Sequence, residues 1–503
     1  VAELHVGADL FPFRTLDEAR LTARPGDVVI VHQGVYRERL RPPRGVTWRV
    51  AVGERAVIDG DWDGKTATNG QGNLVLFDEP DATVEGFTIR NAPGDGVGIS
   101  GGGQRATLRG CTIHNCHESG LAANGTGTPL IGLTIEGNRV YDIARSWAVD
   151  KGRNRVAGCF LFRWVEDSDI LNNEVSGGFG EIAAAGIQSK RIRFEGNVFH
   201  TGMHLGLYVN RATGCIIRNN LIYHTYDPEV AQADEQIPHG IVIGDERRRD
   251  DKEESWQHSG QTIIEGNVVA WMGVLFSVRN NATDSGYDTR IDADTVIRNN
   301  TFIGGPKTRR GIHIVENRHG HAAVGRFQGN VIHVAGDTIP LLCDAPKMRF
   351  GGNVWTARPD KLRDGDIVVP PSALVNPDAE IVGDRYGSTI DIDNYRPAPG
   401  QALVGDDGRA LAGALEPVTG EPPPPPPPPD PDPEPEPGPD WDALLEKAVG
   451  VGDRLATMGA AGNLAREHLA AANEQLAVMS LAHEDAADDM AALLTMLDEY
   501  RLG

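Results

Sequence analysis

Basic residues are scarce: 48 Lys and Arg stand against 71 Asp and Glu, a formal net charge of -23. That balance excludes a nucleic-acid partner, which needs cations gathered on one face, and suits a self-repelling extracellular or particle surface. No run of about 18 apolar residues occurs, so no membrane span is expected. Cysteines number five, an odd count without a CxxC pair, so neither a disulfide framework nor a zinc site is signalled. Cys111, Cys159 and Cys215 fall at inward-reading strand positions and are expected as free core thiols. The opening VAELHVGADLFPFRTL has no basic region followed by an apolar run, so no signal peptide is expected in it. Aromatics reach only 6%, and no long apolar helix pattern precedes residue 440.

Glycine, by contrast, is abundant at 61 residues, and short Val/Ile pairs alternate with Asn, Gly and Asp. This composition reads as many short strands joined by tight turns. One turn pattern recurs: VEGFTIRN (84–91), LRGCTIHN (108–115), IEGNRVYD (135–142), LNNEVSG (171–177), FEGNVFH (194–200), RNNLIYH (218–224), IEGNVVA (264–270), RNNTFIG (298–304), FQGNVIH (327–333) and GGNVW (351–355). Most repeats are 23 to 35 residues apart, and the widest, Asn220 to Asn267, is 47. A period of that size built from period-2 strands predicts a coil of stacked strands. An Asn at the same bend of each coil would bond its neighbours as a ladder. Extra residues in the longer coils must loop outward.

Ahead of the repeats, FRTLDEARLTARPGDVVIVHQGVYRERL predicts a short amphipathic helix over 16–22, a Pro25-Gly26 turn and a strand over 28–32. Such a helix would cover the open end of a strand stack. The repeats resemble those of right-handed parallel β-helix proteins, the pectate-lyase-like superfamily. The entry segment resembles the cap of its polysaccharide-lyase members, and DIDNYRPAPGQALVGDDGRALAGALEP (391–417) is similar to the closing segment of many bacterial β-helices. The resemblance covers about residues 10–417 and implies an all-β fold: a right-handed parallel β-helix solenoid with an N-terminal cap. The superfamily includes lyases, hydrolases, epimerases, tailspikes and adhesins, so it specifies fold more than activity. The expected organisation is a cap and first coil (1–60), the β-helix (61–417), a Pro-rich linker (418–440) and a small α-helical tail (441–503). Pro422 to Pro429 followed by DPDPEPEPGPD reads as a polyproline spacer stiffened by repelling carboxylates. The narrow apolar stripes of the tail predict self-association or docking to a partner.

Counting each strand from its opening glycine, with the next residue inward and the one after outward, gives an exposed patch of aromatics, cations and amides. It comprises Phe160, Phe162, Arg163, Trp164, Gln188, Lys190, Tyr208, Asn210 and Arg211, flanked by His200, His204, Asp245 and Glu246. Insertions at 143–157, carrying Trp147, and at 225–258, carrying His239 and Trp256, are expected as its walls. Aromatic rings beside hydrogen-bonding side chains predict a polysaccharide groove.

Three activities remain open on this patch. Resemblance to chondroitinase- and alginate-lyase-type lyases implies uronate β-elimination with Lys190 as base, Arg211 neutralising the carboxylate, and Tyr208 or His204 as acid. Calcium is the cation such chemistry recruits, although no ligand set for it is evident. Glycoside hydrolysis would instead pair carboxylates: Asp245 and Glu246 with Asp150, Glu166, Asp167 or Glu181. A glycan-binding adhesin needs neither. The resemblance and the tail together imply an extracellular or virion-tail depolymerase, assembled as a homo-oligomer and expected as a trimer, with a secreted bacterial lyase or hydrolase as the alternative.

Overall fold

The computed structural model describes residues 1–8, 11–66, 68, 72–146, 158–227, 238–246, 257–279, 289, 291–314, 324–363, 365–384, 386–398 and 412–416. One compact unit spans Val1–Gly420; the other, Glu421–Gly503, holds the expected spacer and helical tail and lies outside the described residues. The helix α1, Leu16–Thr22, occupies the span that its periodicity predicts. A capping box fixes its start: the Thr15 side chain accepts from the Glu18 N–H while the Glu18 carboxylate accepts from the Thr15 N–H. Leu16 and Ala19 are buried, turning one face onto the strands beneath.

Among the described residues all strands except the antiparallel pair Val382–Gly383 and Ser388–Thr389 form three parallel sheets, in which strands pair with the equivalent strands one coil earlier and one coil later. Sheet I has 14 strands and runs from Glu3–Val6 to Arg349–Gly351. Sheet II has 13, from Gly34–Tyr36 to Ile367–Val368, and sheet III has 10, from Val75–Phe77 to Ile339–Cys343. Such triangular winding makes the chain an all-β, right-handed parallel β-helix. Its interior is one continuous core, in which Phe160, Phe162, Phe194 and Phe199 form a chain of edge-to-face rings reaching across all three sheets.

The turn between sheets I and II sets the coil. Its first residue is left-handed: Gly137 (φ 64°), Asn172 (53°), Gly196 (68°), Asn219 (55°), Gly266 (65°) and Asn299 (52°). Gly and Asn are the residues that enter this region at least cost, which explains the recurring Gly-Asn and Asn-Asn pairs. The following Asn points inward. Asn138, Asn173, Asn197, Asn220, Asn267, Asn300, Asn330 and Asn353 each donate from Nδ2 to Oδ1 of the next member at 2.9–3.0 Å, and the series ends on Asp366 Oδ1. The expected ladder is therefore present, buried and continuous over eight coils.

The five cysteines are free. Burial pushes the Cys111 and Cys215 thiols up to about 12, as expected of inert core groups.

Candidate functional site

Two of the three outer faces are occupied. On sheet I the outward residues are ion-paired from coil to coil: Arg109 bridges Glu85 and Glu136 at 3.0 Å, Arg193 pairs with Asp169 at 2.8 Å, and Arg218 with Glu195 at 2.9 Å. These groups are half-exposed and solvated, so each pair is worth little; Arg109→Ala is expected to shift stability by less than about 1 kcal/mol, measured as a denaturation midpoint. Sheet II is crossed by the segment 376–398. Its Asp378 accepts from the buried His333 at 3.2 Å, Ser388 bonds the Tyr223 hydroxyl, and Tyr386 sits edge-on to Tyr141 at 5.9 Å. Among the described residues, the outer face of sheet III is the one that remains.

Strand entry into sheet III departs from simple alternation. Cys159 and Phe160, Ile182 and Ala183, and Leu275 and Phe276 are consecutive residues that all belong to the interior core. Gly206, Gly240 and Gly311 take the first place of the same pair, where a Cβ would strike Ile222, Val269 and Ile332 from within. The corner rolls two side chains inward before alternation begins. The outward column in register is consequently Ala122, Leu161, Ala184, Tyr208, Val242, Ser277 and His313. Two residues further along the strands stand Asn124, Arg163, Gly186, Asn210, Gly244 and Arg279.

This geometry corrects several expectations. Phe160 and Phe162 are fully buried core residues and cannot stack on a sugar. Gly186 closes a strand rather than opening one, so Gln188 lies in the turn that leaves sheet III and Lys190 begins a strand of sheet I, where its ammonium pairs with Glu166 at 3.1 Å. Trp164, Gln188 and Arg211 are the left-handed residues of that turn in successive coils (φ 54°, 63° and 56°), and Arg211 is 2% exposed. Asp245 is wholly buried and structural: its carboxylate accepts from the Ser259 N–H at 2.8 Å and pairs with His258 at 3.1 Å. His200 is buried on sheet II, stacked on Tyr223 at 4.8 Å. Trp147, Asp150 and Trp256 lie outside the described residues.

Tyr208, His204, Asn210, Glu246 and Arg163 do gather on sheet III. The Tyr208 ring lies over the next coil, where a Cβ on Gly244 would stand 2.9 Å from its hydroxyl. With Leu161, Ala184, Leu205 and Val242 it forms a small apolar floor outside the main core. Asn210 holds Glu246, accepting from its N–H at 3.0 Å and donating to its carboxylate at 3.4 Å. Glu246 is exposed.

The residue that the strand pattern passed over as a central group is Glu181, which opens the strand Glu181–Gly186. Its Oε2 is buried and has no hydrogen-bond partner among the described residues. Burial, reinforced by the charge of Glu246, pushes its carboxyl up to about 7, against the opposing pull of Arg163 and Arg279. At the same register two coils further on stands His239. His239 bonds Ser277 Oγ at 3.1 Å and is pushed down to about 3 by burial and by the charges of Arg279, His313, His204 and Arg310. It is a neutral imidazole at any physiological pH. Among the described residues no group of three or more His, Cys, Asp or Glu could hold a metal ion. The arrangement can offer a proton from one carboxyl group, a negative charge from another, and hydrogen bonds from Arg, Asn and His around them.

Glu181 had a legible signal in the ladder: Ala184 follows Asn173 by the same interval at which Tyr208 follows Asn197, which places the preceding Glu181 at the mouth of the same strand.

The family comparison agrees with the fold class. Residues 63–244 match the family model described as right handed beta helix region. No curated protein matches the chain. Similar solved structures include a PL6 family alginate lyase (15% identity, TM-score 0.46, covering 82% of this chain and 58% of that one). A polygalacturonase from Erwinia carotovora ssp. carotovora is similar at 11% identity and TM-score 0.44, over 72% of this chain and 96% of that one. The Dettilon tailspike protein is similar at 13% identity and TM-score 0.43, over 70% and 63%. The chain thus spans less than two thirds of the alginate lyase and of the tailspike.

Proposed function

We propose that the protein binds a polysaccharide across the outer face of sheet III and hydrolyses its glycosidic bonds, with Glu181 as general acid and Glu246 as the partner carboxylate. The observation that carries this reading is the protonation split: one carboxyl held neutral up to about pH 7 beside a second that is exposed and held by Asn210. A glycosidase needs one carboxylic acid to protonate the leaving oxygen and one carboxylate to activate water or attack the sugar. Arg163, Asn210 and Arg279 would hold the polar groups of the sugar, above the buried Tyr208 and its apolar neighbours.

β-Elimination through Lys190 and Arg211 has less support. The Lys190 ammonium is engaged by Glu166 on sheet I, and the Arg211 side chain is buried. The test is incubation with a panel of neutral and acidic polysaccharides, following reducing ends and the ultraviolet absorbance of unsaturated ends in parallel. Hydrolysis raises the first signal alone. Growth of both would establish elimination and overturn the proposal, and saturable binding with neither would leave an adhesin.

The pH profile follows from the acid role. Protonated Glu181 is the active form, and its carboxyl ionises near 7, so kcat is expected to fall as pH rises through about 7. A rate that is flat between pH 5 and 9 would remove Glu181 from the mechanism.

An extracellular or virion-tail depolymerase, assembled as a homotrimer through residues 441–503, is the biological setting we infer for this activity. Sedimentation of the full chain and of residues 1–420 tests it; a monomer in both forms would sink the assembly.

A further inference from the structure

A concavity of about 330 Å³ lies far from the sheet III groove, between the cap helix and the first two turns that leave the start of sheet III. Its walls are Arg20 from the last turn of α1, Pro25, the segment Arg41-Pro42-Pro43-Arg44, and Asp78-Glu79 one coil on. The frame is built by the backbone: Gly26 N–H donates to Gly45 O at 2.8 Å, and Gly45 N–H to Pro80 O at 3.0 Å, tying the three segments together. Three prolines remove freedom from the walls, so little ordering remains for a ligand to impose.

Arg20 pairs with Asp17 at 2.7 Å, outside the concavity, and Arg41 pairs with Asp78 within it at 3.7 Å, a separation beyond hydrogen-bond length. Arg44 sends its charge toward Asp81, but the hydrogen bonds of Asp81 go to Arg105. The concavity therefore offers guanidinium donors in planar forks, which match a carboxylate. Asp78 and Glu79 add acceptors beside them. Those two would repel a multiply charged anion such as phosphate, yet they can accept from hydroxyl groups.

We propose that this cap concavity is a second carbohydrate site, independent of the sheet III groove, that binds a single sugar acid: its carboxylate on Arg41 and Arg44, its hydroxyls on Asp78 and Glu79. The volume lies at the small end of ligand pockets and admits about one ring. It would anchor an acidic residue of a glycan at the end of the solenoid remote from cleavage.

The test uses the full-length wild-type chain and phenylglyoxal, which modifies accessible guanidinium groups, with mass spectrometry of each arginine. Methyl β-glucuronide is expected to slow modification of Arg41 and Arg44 by 1 + [L]/Kd, about tenfold when the ligand stands at ten times its dissociation constant. Arg37, 69% exposed, serves as the internal reference and should not change. Equal protection by inorganic phosphate would show a plain anion site, equal protection by methyl β-glucoside would show that the arginines do not read the carboxylate, and no protection by the glucuronide would show no site; each overturns the proposal. Repeating the measurement with Glu181→Gln protein separates the two sites. Unchanged protection there keeps the cap site whatever becomes of the catalytic reading, and lost protection would overturn its independence.

Discussion

Glu181→Gln is expected to lower kcat on the cleaved polysaccharide by about 10²–10⁴-fold while KM and fold change little. Gln keeps the shape of the carboxyl group and cannot deliver a proton to the leaving oxygen. Because Oε2 has no hydrogen-bond partner among the described residues, the amide breaks no hydrogen bond there. The alkaline limb near pH 7 should vanish with the activity. The neighbours of Glu181 give signed companions to this result. The charge of Glu246 raises the Glu181 carboxyl, so Glu246→Gln should move any residual alkaline limb to lower pH; Arg163 and Arg279 lower it, so Arg279→Gln should move the limb upward. Lys190→Ala, on the ion-paired face of sheet I, should leave turnover within about twofold of wild type, since exposed pairs contribute little. Full activity in Glu181→Gln, or loss of chemistry in Lys190→Ala with binding intact, would sink the hydrolytic assignment and return the elimination reading.

Much of the fold was legible because one turn imposes the same two demands on every coil. A left-handed residue followed by a buried amide leaves Gly-Asn or Asn-Asn in the sequence each time, and no other local structure asks for both. The cap helix was legible for a similar reason, since Thr15 and Glu18 form a box that only a helix start uses. The site was less legible because facing in sheet III depends on the corner before the strand. Two inward residues in succession shift the parity by one, and nothing in Gly-Cys-Phe-Leu-Phe distinguishes a glycine that precedes the pair from one that belongs to it. Phe160 and Phe162 were placed outward on that count, although large aromatics are the usual filling of a solenoid whose three sheets must meet at its centre. Lys190 was misplaced by the same glycine rule at Gly186. Tyr208 falls in the outward column because its coil has the glycine inside the inward pair, yet its neighbours on the sheet bury it. Glu181 was visible only as one of several spare carboxylates, since its raised affinity for a proton arises from burial and from charges on other coils.

Asn197→Ala is expected to cost about 3–5 kcal/mol, far more than any exposed charge on the solenoid. Asn197 is fully buried near the middle of the ladder. Its Oδ1 accepts from both the Asn173 backbone N–H at 2.9 Å and Asn173 Nδ2 at 3.0 Å, while its Nδ2 donates to Ile170 O at 2.8 Å and Asn220 Oδ1 at 3.0 Å. Alanine removes the acceptor of the Asn173 backbone N–H and the donor to the Ile170 carbonyl, and leaves Asn173 Nδ2 with Ile135 O alone, at 2.9 Å. Asn220 Oδ1 keeps the Asn197 backbone N–H at 3.0 Å. Water can compensate only by entering the core, because the ladder lies under the turn and beside Phe194 and Phe199. Coils contact mainly their neighbours, so the loss should be local at first. Hydrogen exchange should accelerate in residues 170–176 and 194–200, spreading outward only as denaturant is added, with the midpoint of unfolding lowered as well. The coils on either side also carry Glu181, Tyr208 and Asn210, so the same substitution should depress cleavage at temperatures where the chain remains folded. If Asn197→Ala proved as mild as Arg109→Ala, the ladder would be an ornament of the turn, and the strand pairing and phenylalanine core would have to hold the register of the coils alone.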